Sequence, residues 1–209
     1  VYRFEDFDQF VINNAGGVNF RGSQAASEVV QLKVASSNDI RLANKPTTDL
    51  SAETDIVDYS ATANAVTVNL GSTTNGGDGW FYATATKGAL GVGGVDTIAG
   101  AEGIFGSTAS DTITGNSRDN LLAGGAGNDT LDGAAGNDIL VGGAGSGDIL
   151  IDGTGKDILI DTDGGTLTGS ATKKNQGASG DKDVFVVRNG STIENFHVAK
   201  DGAGLAGRA

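Results

Sequence analysis

Residues 124–141 read Gly124-Gly125-Ala126-Gly127-Asn128-Asp129-Thr130-Leu131-Asp132, followed without a break by Gly133-Ala134-Ala135-Gly136-Asn137-Asp138-Ile139-Leu140-Val141. Both nine-residue units have the form G-G-x-G-x-D-x-U-x, where U is a large aliphatic residue and the second unit has alanine at its second position. Small residues at the first, second and fourth positions allow a tight turn with positive φ, and U points into the core from a short strand. Tandem units of this form predict a parallel β-helix with one turn and one strand per unit.

The same register extends on both sides of this stretch. Units at 106–114 and 115–123 precede it, and units at 142–151, with one extra residue, and 152–160 follow it. From 106 to 160 the acidic position is held in turn by Asp111, Asn120, Asp129, Asp138, Asp148 and Asp157. A phased ladder of this kind predicts stacked turns.

Outside these units the pattern weakens. Residues 91–99 supply Asp96 at the acidic position, whereas residues 161–169 lack the U residue, and we expect them to close the roll. The segments around Asp39 and Asp55 are interpreted as degenerate turns.

The available ligand atoms favour calcium over other metals. The chain has no cysteine, no methionine and one histidine, so soft and borderline metals lack their usual ligands. Carboxylates and loop carbonyls are abundant, and Ca²⁺ accepts six to eight oxygens in flexible geometry, whereas Mg²⁺ requires a small octahedron. The sequence therefore predicts several calcium ions in the turns.

Successive turns of such a roll lie on opposite edges, so turns 18 residues apart stack on the same edge. We predict one ion between Asp129 and Asp148 and another between Asp138 and Asp157. The carbonyls of the glycine-rich loops would complete both sites; the glycines predicted to take part are Gly125, Gly127, Gly133, Gly136, Gly143 and Gly145.

Two further pairs follow from the same spacing. Asp111 pairs with Asp129, and Asn120 pairs with Asp138 in a site that is poorer by one formal charge. We therefore expect the best sites in the middle of the ladder.

The alternative for any one Gly-Asn-Asp cluster is an ordinary β-turn without an ion. The phased ladder argues against it, and so does the net charge of −12, because aligned aspartates would repel one another without cations. We therefore expect the roll to need its ions to fold.

Residues 91–160 resemble the repeat region of RTX proteins, calcium-binding repeat proteins that Gram-negative bacteria export by type I secretion. Residues 55–60 and 65–70, with the glycine-rich loop after them, resemble the lead-in to such repeats in large surface adhesins. The resemblance implies a parallel β-roll whose aspartates bind Ca²⁺ and whose repeats stay disordered until export. The chain departs from the pattern at Asn120, at the extra residue before Asp148 and at Lys156.

We predict an all-β fold in four parts. Residues 1–90 form a β-rich N-terminal region, either degenerate repeats or a packed cap, and residues 91–170 form the calcium-binding parallel β-roll. Residues 171–198 contain a loop and a capping β-hairpin, and residues 199–209 form a flexible tail. The chain begins at Val1 without a cleavable leader, so we interpret it as a fragment of a longer protein.

The C-terminal hairpin is predicted from its turn residues. Residues 183–188 and 191–198 alternate apolar and polar side chains about Asn189-Gly190, a pair typical of a type I′ turn. We expect this hairpin to cap the open end of the roll.

Composition and motifs narrow the function. A pI near 4.3 argues against nucleic acid, and no apolar run is long enough to cross a bilayer. The common nucleophile and zinc-protease motifs are absent, and nothing in the sequence places a partner beside His197, so we expect no enzyme.

One segment could bind a ligand. Trp80 and Tyr82 follow a glycine-rich acidic loop and could stack a sugar, although an alternating core strand is the favoured interpretation. Self-assembly or a cell-surface glycan or peptide are therefore the partners that the sequence leaves open, besides calcium.

The residues flanking U carry a further signal. On one predicted sheet the outward positions are apolar, namely Leu121, Ala123, Ile139, Val141, Ile158 and Ile160. Outward positions on a solvated sheet should be polar, so we expect the N-terminal third or the 183–198 hairpin to cover this stripe, with a neighbouring protein as the alternative.

Together these features predict a calcium-dependent folding and structural segment of a secreted RTX surface protein, of adhesin or surface-layer type, outside a Gram-negative cell. The alternatives are the C-terminal export and folding module of a larger secreted enzyme or toxin, and a calcium-dependent glycan- or peptide-binding domain.

Overall fold

The computed structural model describes residues 9–12, 19–21, 29–32, 37–42, 54–71, 74–75, 81–88, 94–168, 183–187 and 190–194. Within these ranges the chain forms strands and turns, and nearly all the strands belong to two sheets. Trp80, His197, the 171–182 loop and the 199–209 tail lie outside the described residues, so the predictions made for them stay predictions.

The strands are short, and most have their middle residue buried. In chain order they are β1 (Gln9–Ile12), β2 (Asn19–Arg21), β3 (Val29–Leu32), β4 (Asp39–Arg41), β5 (Ile56–Asp58), β6 (Val66–Asn69), β7 (Thr74–Asn75), β8 (Phe81–Lys87), β9 (Val95–Ala99), β10 (Gly103–Phe105), β11 (Thr112–Thr114), β12 (Leu121–Ala126), β13 (Thr130–Asp132), β14 (Ile139–Ala144), β15 (Ile149–Ile151), β16 (Ile158–Asp161), β17 (Thr166–Thr168), β18 (Val184–Val187) and β19 (Thr192–Glu194).

Two sheets face each other, and the chain winds between them. The first sheet has the order β1-β3-β5-β10-β12-β14-β16-β18, with every neighbouring pair parallel. The second sheet has the order β19-β17-β15-β13-β11-β6-β8-β9-β4-β2. Consecutive strands from β9 to β19 alternate between the sheets, so the predicted parallel β-roll is confirmed.

One detour interrupts the winding. Strand β8 runs antiparallel to both β6 and β9, and β9 then lies parallel to β4 before the chain crosses to β10. The first sheet has no counterpart to this detour, because β5 and β10 are direct neighbours there. The repeat period cannot reveal this insertion, since it lies upstream of the regular units.

The core is a double column of aliphatic side chains. The U residues Ile113, Leu122, Leu131, Leu140, Leu150 and Leu159 are all fully buried. Only the middle residue of a three-residue strand points inward. Burial of each of these side chains contributes about 1.5–3 kcal/mol to stability. The column continues upstream through Ile40 and Val57, so the segments around Asp39 and Asp55 supply rungs of the same two sheets.

The expected C-terminal hairpin is wrong. Strand β18 pairs in parallel with β16, and β19 pairs in parallel with β17, so the two strands lie in opposite sheets as the last rungs of the roll. Gly190, with φ of 104°, lies in the crossing between the sheets. Alternating apolar residues suit a solenoid rung as well as a hairpin strand, and here Phe185 packs against the core.

The expected closure of the roll at 161–169 is also wrong. Leu167 is fully buried in β17 and pairs with Leu150 of β15, so this segment has a U residue after all. Leu159 and Leu167 are eight residues apart, and a strict nine-residue register misses the shortened turn.

Among the described residues, the segments that we expected to cover the apolar outward stripe are instead paired as strands within the two sheets. Strands β1, β3 and β18 extend the first sheet, and β2, β4 and β19 extend the second. Ile139 is 38% exposed, and the stripe continues through Val184 and Val186, which are 50% and 44% exposed.

Candidate calcium sites in the turns

Acidic side chains of one edge stack in a first column, defined by Asp111, Asp129 and Asp148. They precede β11, β13 and β15, and each is at most 2% exposed. The backbone N–H of Asp111 donates to Oδ1 of Asp129 at 2.7 Å, and that of Asp129 donates to Oδ1 of Asp148 at 2.8 Å. The parallel register therefore joins each aspartate to the next rung.

A second column on the other edge consists of Asn120, Asp138, Asp157 and Asp183. The N–H of Asn120 donates to Oδ1 of Asp138 at 2.8 Å, and that of Asp138 donates to Oδ1 of Asp157 at 2.8 Å. The N–H of Asp157 donates to Oδ1 of Asp183 at 3.2 Å. Every pair named from the sequence is thus brought together, whereas their role as ion ligands stays a prediction.

The second oxygen of the central carboxylates is the decisive feature. Oδ2 of Asp129, Asp138 and Asp148 is buried and has no hydrogen-bond partner among the described residues. A buried polar atom without a partner costs about 1–3 kcal/mol, and more when it is charged. A cation beside these oxygens would remove that cost, so the residues present fit the predicted ion.

The first rung of each column differs from the central rungs. Both oxygens of Asp111 accept hydrogen bonds, Oδ1 from the Val66 N–H at 2.6 Å and Oδ2 from the Ser107 N–H at 2.5 Å. Oδ1 of Asn120 accepts from the Asn116 N–H at 2.8 Å, and its Nδ2 donates to the Glu102 carbonyl at 3.1 Å. These two predicted ligands already have protein partners.

The first glycine of each unit keeps space open beside the carboxylate. A Cβ on Gly124 would lie 2.6 Å from the carbonyl oxygen of Gly142 and would crowd Oδ2 of Asp129. Gly133 is confined in the same way between Oδ2 of Asp138 and the carbonyl of Asp152. A carboxylate and a carbonyl of the next rung thus face one small space, as a calcium site requires.

The other predicted glycines lie in the turn itself. Positive φ values occur at the second and fourth positions, where Gly125, Gly127, Gly136 and Gly143 have 108°, 118°, 124° and 110°. A Cβ on Gly145 would collide with the carbonyl of Gly127 in the turn stacked beside it. Of the predicted glycines only Gly133 lies beside a column carboxylate in this way. Gly124 and Gly142 were missed, although their repeated first position was visible in the sequence.

Burial changes the acidity of the central carboxylates. Desolvation raises the pKa of Asp129 to about 7, and the charges of Asp111 and Asp148 add to the effect. Desolvation also raises the pKa of Asp138 to about 7, with contributions from Asp157, Asp119 and Asp132. The pKa of Asp148 is raised by burial as well. A cation beside these carboxylates would favour their ionised form and oppose the rise in pKa.

Two triads of carboxylates complete the C-terminal part of the ladder. The first triad consists of Asp148, Asp161 and Asp163. In both triads, one carboxylate oxygen of each residue lies within 4.8 Å of those of the other two. Hydrogen bonds from Ser191, Gly165 and Asp163 hold the pKa of Asp161 below its usual value, although burial opposes them.

The second triad joins Asp152, Asp157 and Asp183. Asp152, Asp161, Asp163 and Asp183 are not among the ligands predicted from the sequence. Asp152 and Asp161 stand where the regular units have their first glycine, and a carboxylate at that position was the available signal. Asp183 could be found only from the register of β18 beside β16.

A model of the RTX calcium-binding nonapeptide repeat, in four copies, matches residues 105–140 and again 114–149. The chain contains RTX calcium-binding repeats. A search of curated proteins gives no match. The matched residues include Asp111, Asp129 and Asp148 of the first column and Asn120 and Asp138 of the second, so calcium is the ion that these RTX repeats bind.

The RTX roll can hold calcium through its own oxygens. The residues suited to the task are Asp129, Asp138 and Asp148, each with the carbonyls of the adjacent turn, and the two C-terminal triads. A bound ion would neutralise the stacked carboxylates and join one rung to the next. Within the described ranges we find no helix with the length and apolar character that a membrane crossing requires.

Proposed function

We propose that this segment folds outside the cell when calcium joins its rungs, and that it then serves as a rigid structural element of a secreted RTX surface protein. The observation that carries the proposal is the buried Oδ2 of Asp129, Asp138 and Asp148, for which the described residues offer no donor. Without a cation these oxygens oppose folding, and with one they become ligands.

Calcium affinity suits such a role. Extracellular calcium modules bind with a Kd on the order of 10⁻⁴ to 10⁻³ M, which lies above cytosolic and near extracellular calcium levels. A roll of this affinity stays unfolded before export and folds after it. Within the described ranges the first sheet has eight strands, so at roughly 4.8 Å per strand this part of the rod is on the order of 35 Å long.

The experiment is a calcium titration followed by far-UV circular dichroism, from a chelated sample to about 10 mM calcium, with magnesium as the control. We expect β-structure to increase with calcium and not with magnesium. The proposal would be overturned if calcium changed neither the circular dichroism spectrum nor the heat measured by binding calorimetry.

A matched pair of variants assigns the effect to the columns. Asp129→Asn keeps an oxygen for the Asp111 N–H but removes the charge, and we expect it to raise the calcium midpoint. Glu194→Gln removes a charge from an exposed residue of β19 that belongs to neither column. An equal effect of both variants would mean that only the overall charge matters.

We propose that the segment is exposed on the cell surface and that it does not catalyse a reaction. The clustered carboxylates are assigned to calcium in this proposal, so none is left to act as an acid or a base. Protease accessibility of the segment on intact cells that express the parent protein tests the location. Protection that persists after removal of the outer surface layer would contradict it.

Self-association is a second candidate function, supported by the exposed apolar stripe of the first sheet. Sedimentation velocity of the calcium-loaded chain tests it, and we expect Ile139→Thr to shift the distribution towards monomer. Ile149→Thr is the matched control, because Ile149 is 42% exposed on the opposite sheet and lies between Thr130 and Thr166. A monomer at all concentrations would refute this candidate.

A further inference from the structure

Asp96 holds a ladder position upstream of the repeats that the family model matches. Strands β4 and β9 pair Asp39 with Thr97, so Asn38 lies opposite Asp96. The N–H of Asn38 donates to Oδ1 of Asp96 at 2.8 Å, as the N–H of Asp129 does to Asp148. Asp96 is therefore an equivalent of the column aspartates, and it is fully buried.

The surroundings of Asp96 contain a cation that belongs to the protein. The antiparallel strand β8 brings Nζ of Lys87 to 2.9 Å from Oδ1 of Asp96, and both side chains are 0% exposed. The Tyr59 hydroxyl donates to Oδ2 of Asp96 at 2.9 Å, and Nδ2 of Asn38 donates to Oδ1 at 2.9 Å. Both oxygens of this carboxylate thus have protein donors.

In the next rung of each column, the side chain likewise has hydrogen-bond partners within the protein. Asp111 accepts from Val66 and Ser107, and Asn120 is joined to Asn116 and Glu102. Further along the chain, Asp129 and Asp138 are the earliest residues of the two columns that have an oxygen without a described partner. The demand for an external cation therefore begins between Asn120 and Asp129.

We propose that the Lys87 ammonium takes the place of calcium at Asp96, so that residues 54–99 hold their fold without calcium while the rungs from Asp129 onward require it. A buried carboxylate needs a neutralising partner, and an amino group fixed by an antiparallel strand supplies it at any calcium concentration. Strand β6 of this segment pairs with β11, so the calcium-free part offers a formed edge to the calcium-dependent part.

The test is hydrogen exchange of the full chain, followed by mass spectrometry of its peptides, with calcium or with a chelator. We expect peptides of 54–99 to be protected in both conditions and peptides of 129–168 to be protected only with calcium. Loss of protection at 54–99 in the chelator would overturn the inference. The inference rests on the proposed function only for residues 129–168, so the two failures are read from different peptides.

Variants at Lys87 identify the cause. Lys87→Met keeps the length of the side chain without its charge, and we expect exchange at 54–99 in the chelator to become at least about 100-fold faster. Lys156→Met is the matched control, because Lys156 is exposed, and we expect it to leave 54–99 unchanged. Unchanged protection in Lys87→Met would refute the role of the ammonium.

The double variant Lys87→Met/Asp96→Asn separates charge from packing. It removes both charges from the buried pair and keeps an oxygen for Asn38, so we expect protection at 54–99 to return most of the way. A double variant that is no better protected than Lys87→Met would mean that the unpaired charge of Asp96 does not cause the loss of protection, and the inference would be wrong.

Discussion

Asp96 and Asp129 occupy equivalent positions in the ladder but have opposite surroundings. Each accepts the N–H of the preceding rung with Oδ1. The Oδ2 of Asp96 accepts from Tyr59 and its Oδ1 also accepts from Lys87, whereas the Oδ2 of Asp129 has no partner among the described residues. A buried carboxylate at this position can thus be neutralised by a side chain or by an ion. Only neutralisation by an ion makes folding depend on the calcium concentration.

The largest expected effect comes from removing two carboxylates of one column. Asp129→Asn/Asp148→Asn keeps both N–H acceptors but removes two negative ligands from adjacent rungs. We expect residues 129–168 to remain unfolded at about 1 mM calcium, a concentration typical of extracellular modules. Circular dichroism and peptide-resolved hydrogen exchange measure this, and a calcium midpoint within twofold of the unchanged chain would contradict it.

A cavity in the core provides a second test of the comparison between Asp96 and Asp129. Leu131→Ala removes a fully buried side chain next to the first column, and such changes cost about 2–5 kcal/mol. Because folding and ion binding are coupled here, we expect this cost to appear as a higher calcium midpoint. Ile98→Ala, beside Asp96, is the matched variant, and we expect it to lower stability in the chelator instead. Equal shifts of the calcium midpoint in both variants would remove the distinction.

The pH dependence follows from the raised pKa values. Asp129 and Asp138 have a pKa of about 7 in the folded calcium-free roll, above the usual value of 3.8. The folded state therefore binds protons more tightly than the unfolded state does, and this contribution is lost as pH rises from about 4 through about 7. We expect the calcium-free roll to gain structure in mild acid.

Calcium competes with these protons for the same oxygens. At pH 5.5 a group with a pKa of 7 has roughly 30 protonated forms for each ionised one, so we expect the calcium midpoint to be at least about tenfold higher than at pH 7.5. Calcium titrations at both pH values measure the shift. A constant midpoint would mean that the carboxylates are not the ligands.

The smallest expected effect concerns one turn. Ala134 has φ of 70°, the one positive value at a non-glycine position within the described ranges. A left-handed conformation costs an alanine about 1 kcal/mol, so we expect Ala134→Gly to raise the free energy of unfolding by about 0.5–1 kcal/mol. Ala135→Gly, one residue along, has no such strain to relieve and should lower it. Thermal unfolding in saturating calcium compares the two, and a destabilised Ala134→Gly would contradict the argument.

The sequence by itself determined the RTX repeats of this protein. A nine-residue period places one aliphatic residue inward and one aspartate in each turn, so Leu131 and Asp129 follow from spacing alone, as does the stacking of turns 18 residues apart. Glycine where φ is positive and carboxylates without soft ligands then indicate calcium. These are local rules, and each unit obeys them independently of the rest of the chain.

Only the tertiary structure decided the parts that break the period. The eight-residue spacing before Leu167, the parallel pairing of β18 and the triad at Asp183 depend on which strand lies alongside, and a periodic register does not contain that information. The contact of Lys87 with Asp96 requires the antiparallel strand β8, and Asn38 reaches Asp96 across 58 residues of sequence. A period describes neighbours in the chain, whereas the choice between a lysine and a calcium ion is made by neighbours in space.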